Sequence, residues 1–170
     1  MNRRGVTLIE LLITIVIGGI AMLALVVPFS AERIFWLKGD AQAEAQRDAQ
    51  LVLRAIARTA RESGCYELTG IAQITLYAGV RVGGNCTGAV NGCFRRFGSQ
   101  FESYAGTNCT GTPMVLINGG RSQVTVLTLS RPVAGSDRLA QVQQLTVTNT
   151  RGTQQSSEQM ATNLYLRNAS

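Results

Sequence analysis

Residues 3–12 read RRGVTLIELL, and after Glu10 no charged side chain occurs until Glu32. Two arginines and a glycine open the stretch, one carboxylate stands at its entrance, and a long apolar run follows. Residues 6–29, VTLIELLITIVIGGIAMLALVVPF, are long enough to span a bilayer. At about 1.5 Å rise per residue, about twenty helical residues cross the roughly 30 Å hydrocarbon core. Arg3 and Arg4 precede the run, and positive flanks stay on the cytoplasmic side. The expected topology is an amino terminus inside and the rest of the chain outside. An ordinary secretory signal has a shorter apolar region, of about 7–15 residues, with its small-residue cleavage site behind it. Here the processing mark, glycine after two arginines, lies in front.

Downstream of the run the pattern changes. Ala41, Ala45, Ala49, Val52, Ile56 and Ala60 recur at steps of three or four, the stripe of an amphipathic helix. Arg47, Arg54, Arg58 and Arg61 lie on its other side and read as a solvated face. Glu44 is spaced to pair with Arg47 along the helix surface. Gly64 is placed as a helix stop. One helix is therefore expected from about residue 6 to 63, bent near Pro28, where a backbone donor is missing. Gly18 and Gly19 are poor helix formers and mark a second point of helix flexibility.

Beyond Gly64 the signals are those of strands: residues 71–82, 113–117, 123–129, 141–147 and 161–167 are rich in β-branched or aromatic residues. INGGRS (117–122) and NTRGT (149–153) read as turns. The strands are largely consecutive, so antiparallel hairpins or a meander are expected. An apolar sheet face laid against the helix gives an α+β domain.

Composition narrows the chemistry. The 170 residues carry a net charge of +6, a mildly basic balance that does not imply nucleic acid by itself. Histidine is absent, which removes His-dependent catalysis and most mixed metal sites. Cys65, Cys86, Cys93 and Cys109 contain no Cys-x-x-Cys pair, so two structural disulfides in an oxidising compartment are expected instead of a zinc site. Four cysteines allow three pairings. Closure of NCTGAVNGC over an Asn91-Gly92 turn favours Cys86–Cys93 with Cys65–Cys109. Gly79, Gly83 and Gly84 in AGVRVGG do not form a phosphate loop. Neither a cofactor nor a metal is expected, and no enzyme site emerges.

The stretch CFRRFGSQFESY (93–104) sits in a Gly-, Asn- and Thr-rich region, residues 83–112. Its plain reading is a disulfide-braced loop whose aromatics complete a small core. Arg95 and Arg96 with Phe94 and Phe97 also make it a candidate partner contact. Another subunit is one such partner. Single-stranded nucleic acid, stacked on the rings and neutralised by the arginines, is the other.

RRGVTLIELL resembles the prepilin signature of type IV pilins and of the pseudopilins of type II secretion and competence systems. The resemblance covers about the first 30 residues. It implies that a prepilin peptidase cuts after Gly5, making residues 1–5 a leader, and that the new amino terminus on Val6 is N-methylated. Thr7, Leu8 and Ile9 also match, and Glu10 stands where the family keeps its glutamate. That glutamate is expected to attract the terminal amine of a neighbouring subunit during assembly. Physics agrees that a carboxylate in a membrane helix needs a partner or a proton. In such filaments the segment between the glycine and the proline can lose helical structure, which would be Gly18 to Pro28 here. Two departures, Val6 where phenylalanine is usual and Pro28 one residue late, point away from a major pilin. QRDAQLVLRAIARTARESGCYE (46–67) looks like the end of the long helix in PilW-like minor pilins and J-type pseudopilins, and LYLRN (164–168) resembles their last strand.

The resemblance thus implies a pilin-like layout: leader 1–5, membrane and assembly helix 6–29, amphipathic helix 30–64, and a disulfide-containing β-rich head 65–170. It implies a minor type IV pilin that helps initiate or cap a pilus. A J-type pseudopilin of a secretion tip complex and a filament-tip DNA-uptake or adhesive subunit are the alternatives. The expected partners are other pilin or pseudopilin subunits, prepilin peptidase, an inner-membrane assembly platform and, before assembly, membrane lipid. The expected location is the inner membrane with a periplasmic head, then a filament.

Overall fold

A computed structural model describes residues 7–106, 109–132 and 138–167. Its first element is a 54-residue helix, α1 (Leu8–Arg61), which carries Pro28 inside it. From Leu8 to Trp36 every side chain described is exposed, and burial begins where the alanine stripe begins. Ala41, Ala45, Ala49, Val52, Ile56 and Ala60 are all buried, as their spacing requires. Side chains this small let the backbone of α1 approach the sheets closely.

Among the described residues ten strands follow: β1 (Cys65–Leu68), β2 (Gln73–Tyr77), β3 (Arg81–Val82), β4 (Asn85–Cys86), β5 (Val90–Phe97), β6 (Gln100–Tyr104), β7 (Met114–Ile117), β8 (Ser122–Ser130), β9 (Leu139–Arg151) and β10 (Gln154–Tyr165). They form a five-stranded sheet β1-β2-β5-β6-β7, a three-stranded sheet β10-β9-β8 and a small β3-β4 hairpin. All pairings are antiparallel. The expected α+β class, a long helix on antiparallel sheet, is what the chain adopts.

β9 and β10 join through Gly152-Thr153, with Arg151 opposite Gln154 and Gly152 at φ 60°. The turn read across NTRGT is narrower than expected: residues 149–151 belong to β9, and Gly152-Thr153 make the bend, with glycine supplying the left-handed conformation. β8, an edge strand of the smaller sheet, meets the β5–β6 and β1–β2 turns of the larger one: Val124 N–H donates to the Ser99 carbonyl at 2.9 Å and Leu129 N–H to the Ile71 carbonyl at 2.8 Å. One core joins the helix stripe to both sheets, through Tyr66, Ile74, Leu76, Phe94 and Phe101 from the larger and Val124, Leu127, Val142, Leu145 and Leu164 from the smaller.

Three sequence expectations are corrected here. The disulfides are Cys65–Cys86 and Cys93–Cys109, not Cys86–Cys93 and Cys65–Cys109. Asn91 and Gly92 are not a turn but lie within β5, so residues 86 and 93 are not folded back on each other. Instead Cys86, on the β3-β4 hairpin, is pinned to the start of β1, and Cys93, on β5, reaches the residue that follows the β6–β7 bend.

Second, residues 83–112 are not mainly loop. They hold β4, β5 and β6, two of which are inner strands of the larger sheet. Third, Gly64 does not end the helix by a left-handed turn. A Cβ there would lie 2.7 Å from the Gly79 carbonyl oxygen, so glycine permits close packing.

The cap of the helix and the residue after it are held by groups from elsewhere in the fold. Asn91 Nδ2 donates to the Glu62 carbonyl and to Ser63 Oγ, both at 2.9 Å, and the Arg167 N–H donates to the Ser63 carbonyl at 3.1 Å. These bonds answer carbonyls that a helix leaves without intrahelical donors.

Candidate functional site

At the amino-terminal end, Gly5 and Val6 lie outside the described residues. Thr7 caps α1 and Glu10 occupies its third position, forming a reciprocal capping box. The Thr7 N–H donates to Glu10 Oε2 at 3.1 Å, Thr7 Oγ1 donates to the same oxygen at 3.2 Å, and the Glu10 N–H returns to Thr7 Oγ1 at 3.4 Å. One oxygen takes both bonds, and among the described residues Glu10 Oε1 makes none. The carboxylate sits at the positive end of the helix dipole. It is held against the backbone amide that directly follows Val6.

Gly18 and Gly19 lie within continuous helix, and a Cβ at either would touch nothing within 4 Å. Among the described residues, α1 is the helix long and apolar enough to cross a membrane, and none of that apolar window is buried. A core helix of comparable hydropathy would be covered by its own protein, so the bare surface is what a lipid or subunit environment requires.

The second candidate, residues 93–104, is a β-hairpin rather than a loop, and it sorts its residues to two sides. Phe94 is buried and stacks on Phe101 with centroids 6.2 Å apart. Phe101 and Tyr104 are buried as well, so Phe97 is the one exposed ring of the four. A multi-ring platform for bases is therefore not presented. Arg95 Nε pairs with Glu102 Oε2 at 3.0 Å, directly across the β5–β6 register. Its guanidinium also lies 5.0 Å from the Phe97 ring centre and 4.8 Å from that of Tyr104. Arg96 donates to the Thr125 carbonyl on β8. Both arginines are thus committed within the head, and Phe94 is core, not contact.

Sequence reasoning missed Glu102, a buried carboxylate that accepts Tyr104 Oη at 2.7 Å beside Arg95. Strand alternation would have revealed it, had β5 and β6 been recognised as paired. Burial, then the Glu102 hydrogen bond and charge, raise the Tyr104 pKa above its ordinary value, with Arg95 pulling the other way. Burial likewise raises Tyr77, whose hydroxyl donates to Glu67 at 3.0 Å.

A second missed set ties the hairpin turn to the helix. Arg151 pairs with Asp40 and, at 3.4 Å, with Glu44. Glu44 therefore serves the head and not Arg47. Nearby, Ser122 Oγ donates to Asp48 and accepts from Asn149 Nδ2 at 2.8 Å.

These two regions define a chain with a bare apolar amino-terminal helix and a disulfide-stapled head. The family model for the prokaryotic N-terminal methylation motif matches residues 1–26. That match indicates a type IV pilin-like or pseudopilin precursor, and it suggests a structural subunit rather than an enzyme. It also implies processing by prepilin peptidase and assembly with other pilin subunits. Comparison with curated proteins and with solved structures gives no match for the chain.

Proposed function

We infer that the chain is a minor type IV pilin, PilW-like, which helps initiate or cap a pilus. The observation that carries this reading is the methylation motif at residues 1–26 leading into a helix left bare as far as Trp36. In this reading prepilin peptidase removes residues 1–5, and the mature protein waits in the inner membrane with its head in the periplasm. It then enters a filament by packing its exposed helix among those of its neighbours. The capping box supports the role of Glu10. It fixes one carboxylate oxygen on Thr7, the residue that follows Val6 in sequence, and leaves the other for a neighbour's terminal ammonium, a charge-assisted pairing that a low-dielectric bundle strengthens. Val6 and Pro28, both departures from the major-pilin pattern, support a minor subunit. Gly18, Gly19 and Pro28 are the positions at which the helix would yield on extraction.

The test is mass spectrometry of the protein recovered from sheared filaments and from membranes, for the natural chain and for Glu10→Leu. The expected natural product begins at a methylated Val6 and is present in filaments at a small fraction of the major subunit. Glu10→Leu is expected to be inserted and cleaved but depleted from the filaments. A chain still starting at Met1 in cells with active peptidase would overturn the assignment. Normal filament incorporation of Glu10→Leu would overturn the role given to that residue.

A further inference from the structure

Between the apolar run and the head, α1 carries a cluster that neither accounts for. Phe35 and Trp36 are 74% and 68% exposed, and Phe29 stands as open as they do. At about 100° per helical residue, Trp36 and Phe29 lie roughly opposite the buried alanine stripe, so the head does not fold over them. Arg33 and Lys38 flank the pair in sequence. The indole N–H of Trp36 donates to Glu32 Oε1 at 3.4 Å, one turn back towards the apolar run. Trp36 thus presents an apolar ring body with a polar edge, the side-chain type that settles at the boundary between lipid chains and water.

The lengths fit that boundary. From Leu8 to Phe29 the helix rises about 32 Å and from Leu8 to Trp36 about 42 Å, at about 1.5 Å per residue. A bilayer measures about 30 Å across its hydrocarbon and about 40–45 Å with headgroups. With Leu8 at the inner headgroup surface, Phe29 falls just inside the outer edge of the hydrocarbon, about 3–6 Å short of it, and Trp36 among the outer headgroups.

We propose that Phe35 and Trp36, with Arg33 and Lys38 beside them, form a lipid-headgroup anchor on the periplasmic side that fixes the depth of the stored subunit. The proposal rests on the membrane-anchor reading of α1 and extends the lipid-contacting segment beyond residue 29 to residue 38. The occupant is the phospholipid surface, because the exposed face is continuous with the membrane run and lies where the helix emerges from it. Ala41, the first buried helix residue, comes about 8 Å later. The head therefore rests on the membrane surface with its β9–β10 turn, tied to Asp40 by Arg151, at the lower edge.

Trp36 is the only tryptophan in the chain, so its fluorescence reports the site without labelling. The full chain is reconstituted into phosphatidylcholine vesicles that carry bromine either high on the acyl chains or near their ends. Flotation checks that it is bound. The expected result is blue-shifted emission, quenched more by the shallow bromines than by the deep ones. Floating protein whose emission is blue-shifted yet unquenched by either lipid would place the ring against another copy's helix and overturn the proposal. So would emission at the position of free tryptophan in water, or stronger quenching by the deep bromines. Protein that fails to float would overturn the anchor reading itself, and this proposal with it.

Discussion

At the scale of single residues, the head uses its charges inwardly. Arg95 looks in sequence like a ligand for phosphate, yet it stands opposite Glu102 and between two rings. Glu102 and Tyr104 were illegible in the sequence because their meaning depends on register: only when residues 95 and 102 face each other does a lone carboxylate acquire a partner. The same cluster makes a pH prediction. Tyr104 and Tyr77 hold their protons to higher pH in the folded chain than in the unfolded one. Above the ordinary tyrosine value of about 10, the unfolded state therefore binds fewer protons than the folded state. Stability falls as pH rises through that value towards the folded pKa, and it is fully present below it. Urea midpoints measured across the alkaline range are expected to decline, and a Tyr77→Phe/Tyr104→Phe double variant should decline less steeply. With no histidine and one lysine in the chain, few other groups compete for that limb. An unchanged slope in the double variant would remove these tyrosines from the account.

At the scale of elements, α1 and its stripe were the most legible part of the molecule. A 3.6-residue period needs no long-range information: the six positions of the stripe are buried, and Leu53, read as widening it, is partly buried against the same core. β8 and the middle of β9 were legible for a similar reason, their β-branched alternation, whereas β10 was read only from residue 161 because its first half, QQSSEQM, is poor in strand formers. β5 was hidden because its asparagine, glycine, cysteine and arginines are not strand formers by propensity, and pairing within the sheet overrode that; β6, QFESY, is short and was read together with it. The Asn91-Gly92 pair misled for a specific reason: it resembles a hairpin turn, but Asn91 is spent on the end of α1. The stripe is small for a reason that substitution can probe. Ala49→Leu should force the helix off the sheets and cost about 1–3 kcal/mol, as overpacking of a filled core does. Chemical denaturation checks this, and a neutral result would mean that space exists beside Ala49 which the close packing denies.

At the scale of the whole molecule, the head is a small α+β unit whose larger sheet depends on two staples. Cys65–Cys86 and Cys93–Cys109 close loops with separations of 21 and 16 residues. Loops of this size, cross-linked, are stabilised by about 2–4 kcal/mol per bridge. Replacing either pair with serine should lower the unfolding free energy by about that amount, read from chemical denaturation. Digestion without reduction should yield peptides joined 65 to 86 and 93 to 109, and peptides joined 86 to 93 would contradict the topology. The pairing was beyond the sequence because it is set by which strand lies next to which. The last connection of the fold has a mechanical meaning. β10 begins beside Asp40, where Arg151 grips the helix, and the chain leaves it beside Ser63, where Arg167 grips the helix again. The strand therefore runs in the same sense as the rod beneath it, fastened near both ends. Tension along that rod would act across the whole seam at once, as shear, and not peel the head away contact by contact.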